Sequence, residues 1–263
     1  MKRNLSIAIQ ASIEAGTEIL KVYSKPIEVE IKGDDSPLTQ ADKNANDVIN
    51  KYLLNTSIPI ISEENKQLDF LERKDWKQCW IVDPLDGTKE FIKRNGEFTV
   101  NIALVENGNP ILGVIYVPVT KDLYFTSEDA SKAFKITLKN EEVSVSEILE
   151  NASEISPETT TPSVIKIVGS RSHLNKDTKN FISEIEKENF VEIVSKGSSL
   201  KFCLVAEGKA NLYPRYAPTM EWDTAAGQAI CQAAGVKVIN NETQKPLQYN
   251  KENLLNPYFL VTV

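Results

Sequence analysis

The sequence predicts an α+β fold in two subdomains, and three observations carry that prediction. Two amphipathic helical stripes open the chain, short β-rich runs crowd residues 98–138, and strands alternate with helices after residue 163. A stretch rich in Ser, Thr, Pro and Glu at 151–163 separates the two patterns, so the expected division is 1–150 and 151–263. A chain of 263 residues is long enough to bury a sizeable core in this arrangement.

The first helix is expected over 4–23, where Leu5, Ala8, Ile9, Ile13, Ile19 and Leu20 recur at helical spacing until Lys25-Pro26 ends the run. Residues 27–31 alternate apolar and acidic side chains, a strand pattern, and a polar loop follows at 32–36. Thr39 with Asp42 three residues later reads as a capping box before a second helical stripe of Ala45, Val48, Ile49, Tyr52 and Leu53. A short strand at 58–61 delivers Glu63 and Glu64, and a buried strand at 80–82 delivers Asp83. Runs at 99–105, 111–117 and 133–138 read as strands, with Asn107-Gly108 as a hairpin turn. Beyond the linker, strands are expected at 164–168, 190–194, 236–239 and 258–263, and helices at 175–188, 198–207 and 222–234.

Composition excludes several function classes. A net charge of −7 argues against sequence-independent nucleic-acid binding, which needs a basic footprint, but leaves room for a small anionic substrate. No run of about 18 apolar residues predicts a membrane span. The basic start Met1-Lys2-Arg3 leads into a helical pattern rather than the continuous apolar stretch of a signal peptide. Cys79, Cys203 and Cys231 are dispersed and form no C-x-x-C, which points to reduced thiols in a cytoplasmic protein. His173 is the only histidine and no serine sits in a G-x-S-x-G elbow, so a Ser-His-Asp triad is excluded. A phosphate-binding G-x-x-x-x-G-K-[ST] loop is missing too.

The chemistry concentrates in three acidic clusters. In Trp80-Ile81-Val82-Asp83-Pro84-Leu85-Asp86-Gly87-Thr88 a strand ends at Asp83, Pro84 is expected to stop the ladder, and Asp86 follows on the turn. Two carboxylates folded toward one point suit a hard cation such as Mg²⁺. The N–H groups of Gly87 and Thr88, at the start of a short helix, suit a phosphate. Alone, D-P-x-D-G is equally a good turn sequence, Glu63-Glu64 equally a solvated pair, and Asp223 equally a helix N-cap. Together, each cluster sits where an apolar segment meets a turn.

These residues resemble the inositol monophosphatase superfamily. Its two signatures, W-[apolar]-[apolar]-D-P-[apolar]-D-G-T and W-D-x-A-[small]-G, match Trp80 to Thr88 and Trp222-Asp223-Thr224-Ala225-Ala226-Gly227. Ser62-Glu63-Glu64 and Leu38-Thr39-Gln40-Ala41-Asp42 match two further elements in the same order, so the resemblance covers nearly the whole chain. It implies a layered αβαβα sandwich of the inositol monophosphatase and fructose-1,6-bisphosphatase type, with two or three Mg²⁺ ions. By the same resemblance Glu64, Asp83 and the Leu85 carbonyl hold one ion, Asp83, Asp86 and Asp223 hold a second, and Glu64 reaches a third through water. Asp42 and Thr88 match the pair that orients and deprotonates the attacking water, and Li⁺ and Ca²⁺ are expected to inhibit.

The segments 169–173, 196–202 and 213–215 resemble the bacterial 3'(2'),5'-bisphosphate nucleotidase branch. That implies a 5'-phosphate site of Ser198, Lys201 and Arg215, with His173 near the nucleotide and Gly87, Thr88 and Asp223 also touching substrate. The expected reaction converts adenosine 3',5'-bisphosphate to AMP and phosphate. An inositol-1-phosphatase or other sugar phosphatase is the alternative within the class. A catalytically silent nucleotide-binding regulator is the alternative of another class, and the intact acidic set argues against it.

Overall fold

The computed structural model describes residues 2–26, 29–31, 37–157, 163–169 and 175–263. Its centre is a seven-stranded sheet buried on both faces, a consequence of the two-residue period of a strand. Along Gln78–Asp86, Trp80 and Val82 enter one core with Leu5, Ile9 and Ile49, while Cys79 and Ile81 enter another with Phe202 and Ile230. The neighbouring strand repeats this, with Ile102 and Leu104 on the first side and Ala103 and Val105 on the second. Strands covered on both faces become near-continuous apolar runs, the pattern that marks 99–105 and 111–117 in the sequence.

The strand order is Ile60–Ser62, Gln78–Asp86, Thr99–Glu106, Asn109–Val117, Asp122–Thr126, Ala133–Thr137 and Ser153–Ile155. The first pair is parallel and the others are antiparallel. Asn107 and Gly108 turn the hairpin with φ of 48° and 78°, the left-handed pair that a two-residue turn requires. Helices Lys2–Tyr23 and Gln40–Leu53 pack on each other and cover the first face. Helices Leu200–Ala206 and Ala225–Ala233 fill the second core, between this sheet and a five-stranded one. The second sheet runs Phe190–Ser195, Val164–Gly169, Leu212–Arg215, Phe259–Thr262 and Lys237–Asn240. Helix Lys176–Glu186 meets that sheet away from the shared core, which completes the αβαβα layering.

Several expectations shift. The ladder continues through Pro84 to Asp86, because the chain bulges there instead of stopping. The linker stretch holds the last strand of the first sheet, Ser153–Ile155, past the expected division at 150/151, and 158–162 lie outside the described residues. The early strand is Val29–Ile31, paired with Pro37–Thr39. Asp122–Thr126, helix Val145–Asn151 and strand Leu212–Arg215 were not expected as elements. Among the described residues no helix is long and apolar enough to cross a membrane.

Candidate metal and phosphate site

Asp83 and Asp86 meet because of the bulge. Asp83 lies opposite Asn101 and Asp86 opposite Thr99, so three steps on one strand match two on its partner. In a regular strand, residues three apart point to opposite faces. The extra residue restores them to a common side, and Pro84 tolerates the interruption because it has no N–H to leave unpaired. The Leu85 N–H donates to Asp83 Oδ1 at 3.0 Å. Gly87, with φ +93°, then turns the chain into helix Thr88–Ile92. The third carboxylate, Asp223, comes from the 3₁₀ turn Glu221–Asp223, where its Oδ2 accepts the Met220 N–H at 2.8 Å. Carboxylate oxygens of Asp83, Asp86 and Asp223 lie within 4.8 Å of one another.

The neighbouring acid is Glu63, not Glu64. The Glu63 N–H donates to the Val82 carbonyl at 3.1 Å, which seats Glu63 beside the strand end that carries Asp83. Glu63 lines the cleft with Asp83, Leu85, Asp86, Thr88 and Asp223, and Glu64 is not among its lining residues. The structure thus places Glu63 on the cleft, one position before the Glu64 expected there. Asp42 divides its two oxygens between two tasks. Oδ2 accepts the Thr39 N–H and hydroxyl, both at 2.7 Å, as the capping box. Oδ1 accepts the Thr88 hydroxyl at 3.2 Å, so buried Asp42 stands behind Thr88, which lines the cleft.

Electrostatics suits this cluster to a cation. Burial, then Glu63, Asp86, Asp223 and Asp42, push Asp83 well above the usual carboxylate range. Burial, then Asp86, raise Asp223 to about 8, against the Met220 N–H and Arg215. So many acids cannot all ionise without a counter-charge. Among the described residues, those lining the cleft offer carboxylate and carbonyl oxygens and neither imidazole nor thiolate, the donor set of a hard divalent ion. Asp86 is oriented for such an ion. Its Oδ2 accepts from the Ser199 N–H (2.6 Å), the Ser198 hydroxyl (2.9 Å) and Asn101 Nδ2 (3.4 Å). Among the described residues, that leaves Oδ1 for a cation.

A second cavity adjoins the first and shares Asp86, Gly87, Glu90 and Asp223 with it. Its far wall holds two cations, Lys201 and Arg215. Lys201 is buried, lies 5.5 Å from the Tyr213 ring centroid, and donates to the Ser198 and Lys196 carbonyls at 2.5 and 3.5 Å. Burial pulls its pKa down to about 8, with Asp86 opposing and Arg215 reinforcing the fall. Arg215 donates to the Ala217 and Pro218 carbonyls at 3.2 and 3.1 Å. Ser198 lines this cavity, but its hydroxyl is turned onto Asp86. His173 lies outside the described residues. Sequence reasoning passed over Glu90 and Asn101; an asparagine inside the apolar run 99–105 was the available signal.

A model of the inositol monophosphatase family matches residues 1–258. The chain is 46% identical over 259 residues to the 3'(2'),5'-bisphosphate nucleotidase CysQ of Salmonella typhimurium, covering 97% of each. It is 32% identical to the protein of that name from Haemophilus influenzae, covering 98% of this chain and 91% of the relative. The crystal structure of CysQ from Bacteroides thetaiotaomicron superposes with a TM-score of 0.88 at 50% identity, over 99% of this chain and 97% of that one. With the layering, the bulged Asp83–Asp86 turn and these matches in agreement, the chain belongs to the inositol monophosphatase family.

Proposed function

We propose that this chain is a Mg²⁺-dependent 3'(2'),5'-bisphosphate nucleotidase that converts adenosine 3',5'-bisphosphate to AMP and phosphate. The observation that carries the reading is the adjacency of two sites of opposite charge. An acidic cleft suited to a metal-bound reacting phosphate opens into a cavity with two cations suited to a second, non-reacting phosphate. The relatives named as nucleotidases support it. The three buried free thiols support a cytoplasmic location.

Glu63, Asp83, the Leu85 carbonyl, Asp86 and Asp223 would hold two or three ions, with Glu63 in the place expected for Glu64. Ions held there would lower the pKa of a coordinated water, so that hydroxide is available to attack phosphorus, and would neutralise the charge on the leaving oxygen. The Thr88 hydroxyl accepts a proton from the attacking water as it passes its own to Asp42 Oδ1. The N–H groups of Gly87 and Thr88 orient the reacting phosphate. Lys201 and Arg215 grip the 5'-phosphate, a stronger acceptor than the carbonyls that hold them otherwise. Ser198 contributes by holding Asp86. A substrate panel tests this reading: Mg²⁺-dependent phosphate release should be fastest from adenosine 3',5'-bisphosphate, slower from inositol 1-phosphate and fructose 1,6-bisphosphate, and abolished by EDTA. Preference for inositol 1-phosphate, or full activity in EDTA, would overturn it.

A further inference from the structure

We propose that Glu97 is a positioning residue, reaching from the first half of the chain to fix the 196–199 loop that orients Asp86. Glu97 lies between helix Thr88–Ile92 and strand Thr99–Glu106, and its side chain is only 14% exposed. Its Oε2 accepts the Gly197 N–H at 2.9 Å, and its Oε1 lies 3.3 Å from the Lys196 ammonium. Position 197 admits no side chain in this arrangement, since a Cβ there would lie 2.7 Å from Glu90 Cγ and 2.9 Å from the Glu97 carbonyl oxygen.

Ser198 follows with φ +54°, a left-handed conformation that a serine keeps only where its surroundings impose it. This turn aims the Ser198 hydroxyl and the Ser199 N–H together at Asp86 Oδ2. The carbonyls of the same loop, at Lys196 and Ser198, point to the Lys201 ammonium. Carboxylates therefore hold the loop's donors and a cation holds its acceptors. Asp86 is anchored from inside the cleft, Glu97 from outside it. Without Glu97 the Gly197 amide loses its acceptor, the strained turn relaxes, and the two donors leave Asp86.

The inference rests on the reading of Asp86 as a metal ligand, so its test separates the two. Glu97→Ala, Glu97→Gln and Lys196→Ala are compared by amide hydrogen exchange in metal-free protein, by Mn²⁺ binding followed by electron paramagnetic resonance, and by thermal unfolding. In Glu97→Ala the Gly197 and Ser199 amides should exchange at least about tenfold faster, and Mn²⁺ should bind about 10–100-fold more weakly, the range for partners behind a metal ligand. Glu97→Gln retains an oxygen for the Gly197 N–H and should recover most of both, while Lys196→Ala, which removes only the ion pair, should resemble the unsubstituted protein. Should Glu97→Ala fail to fold, Glu97→Asp withdraws the acceptor by one methylene and should show the same losses. A lower unfolding temperature with unchanged exchange and unchanged Mn²⁺ affinity would overturn the proposal. Absence of Mn²⁺ binding in the unsubstituted protein would overturn the metal reading instead. Exchange at Ser199 would then decide for Glu97, faster exchange supporting the role and unchanged exchange ending it.

Discussion

Burial and four neighbouring carboxylates, of Glu63, Asp86, Asp223 and Asp42, all penalise charge on Asp83. This has a consequence for stability without metal. Asp223 titrates near 8 in the fold and near 3.8 ordinarily, so between those values the folded protein holds a proton that the unfolded chain releases. Its contribution is fully present below the ordinary value and is lost as pH rises through about 8. In EDTA the unfolding temperature should fall from about pH 5 to about pH 9, and Asp223→Asn should flatten that slope. Saturating Mg²⁺ should reverse it, because metal displaces the proton and stabilises the folded state most where the acids are ionised. A flat profile for the unsubstituted protein in EDTA would count against this origin. The same scale separates the adjacent glutamates. Glu63→Gln should lower kcat/KM by more than about 100-fold, beyond the usual loss for an outer partner, and Glu64→Gln by much less. Reversed losses would restore Glu64. Two acids at the end of a short strand give no signal of which one faces inward; the tether from Glu63 to Val82 decides it, and that contact joins strands distant in sequence.

At the element scale, strand Gln78–Asp86 and its exit turn do most of the positioning. Gly87 holds φ +93°, and a Cβ there would sit 3.1 Å from the Glu97 carbonyl and 3.2 Å from Ser198 Cβ. Gly87→Ala should therefore destabilise the protein by about 1–2 kcal/mol, read as a shift in the urea midpoint, and lower activity as well. An unchanged midpoint would mean that the turn relaxes freely. The turn was legible because Pro, Gly and two Asp restrict the backbone locally, and the Thr39–Asp42 capping box was legible for the same reason. The bulge was not, since Pro84 alone cannot tell a stopped ladder from an interrupted one. Strand Asp122–Thr126 was missed because it is a short buried run that only its hairpin partners define as β. Ser153–Ile155 was taken into the linker because composition there is polar, while its pairing with Ala133–Thr137 is tertiary.

At the scale of the whole molecule, the candidate site lies where the two halves of the chain meet. Asp83 and Asp86 end a strand of the first sheet, and Asp223 precedes a helix that packs between both sheets. Helices Leu200–Ala206 and Ala225–Ala233 are buried nearly all round, so periodicity carries little orientation signal; the layering was legible through family resemblance instead. Helix Leu200–Ala206 and strand Leu212–Arg215 bring Ser198, Lys201 and Arg215 up to the acidic cleft. Such an arrangement is suited to two phosphates at once, one reacting and one held. Binding energy from the held group can orient the reacting one. The most direct test compares Lys201→Ala with the unsubstituted enzyme on adenosine 3',5'-bisphosphate and on 3'-AMP, which lacks the 5'-phosphate. Lys201→Ala should lose about 1.5–3 kcal/mol in kcat/KM for the bisphosphate and change little for 3'-AMP, whereas equal losses on both substrates would mean that Lys201 does not read the 5'-phosphate.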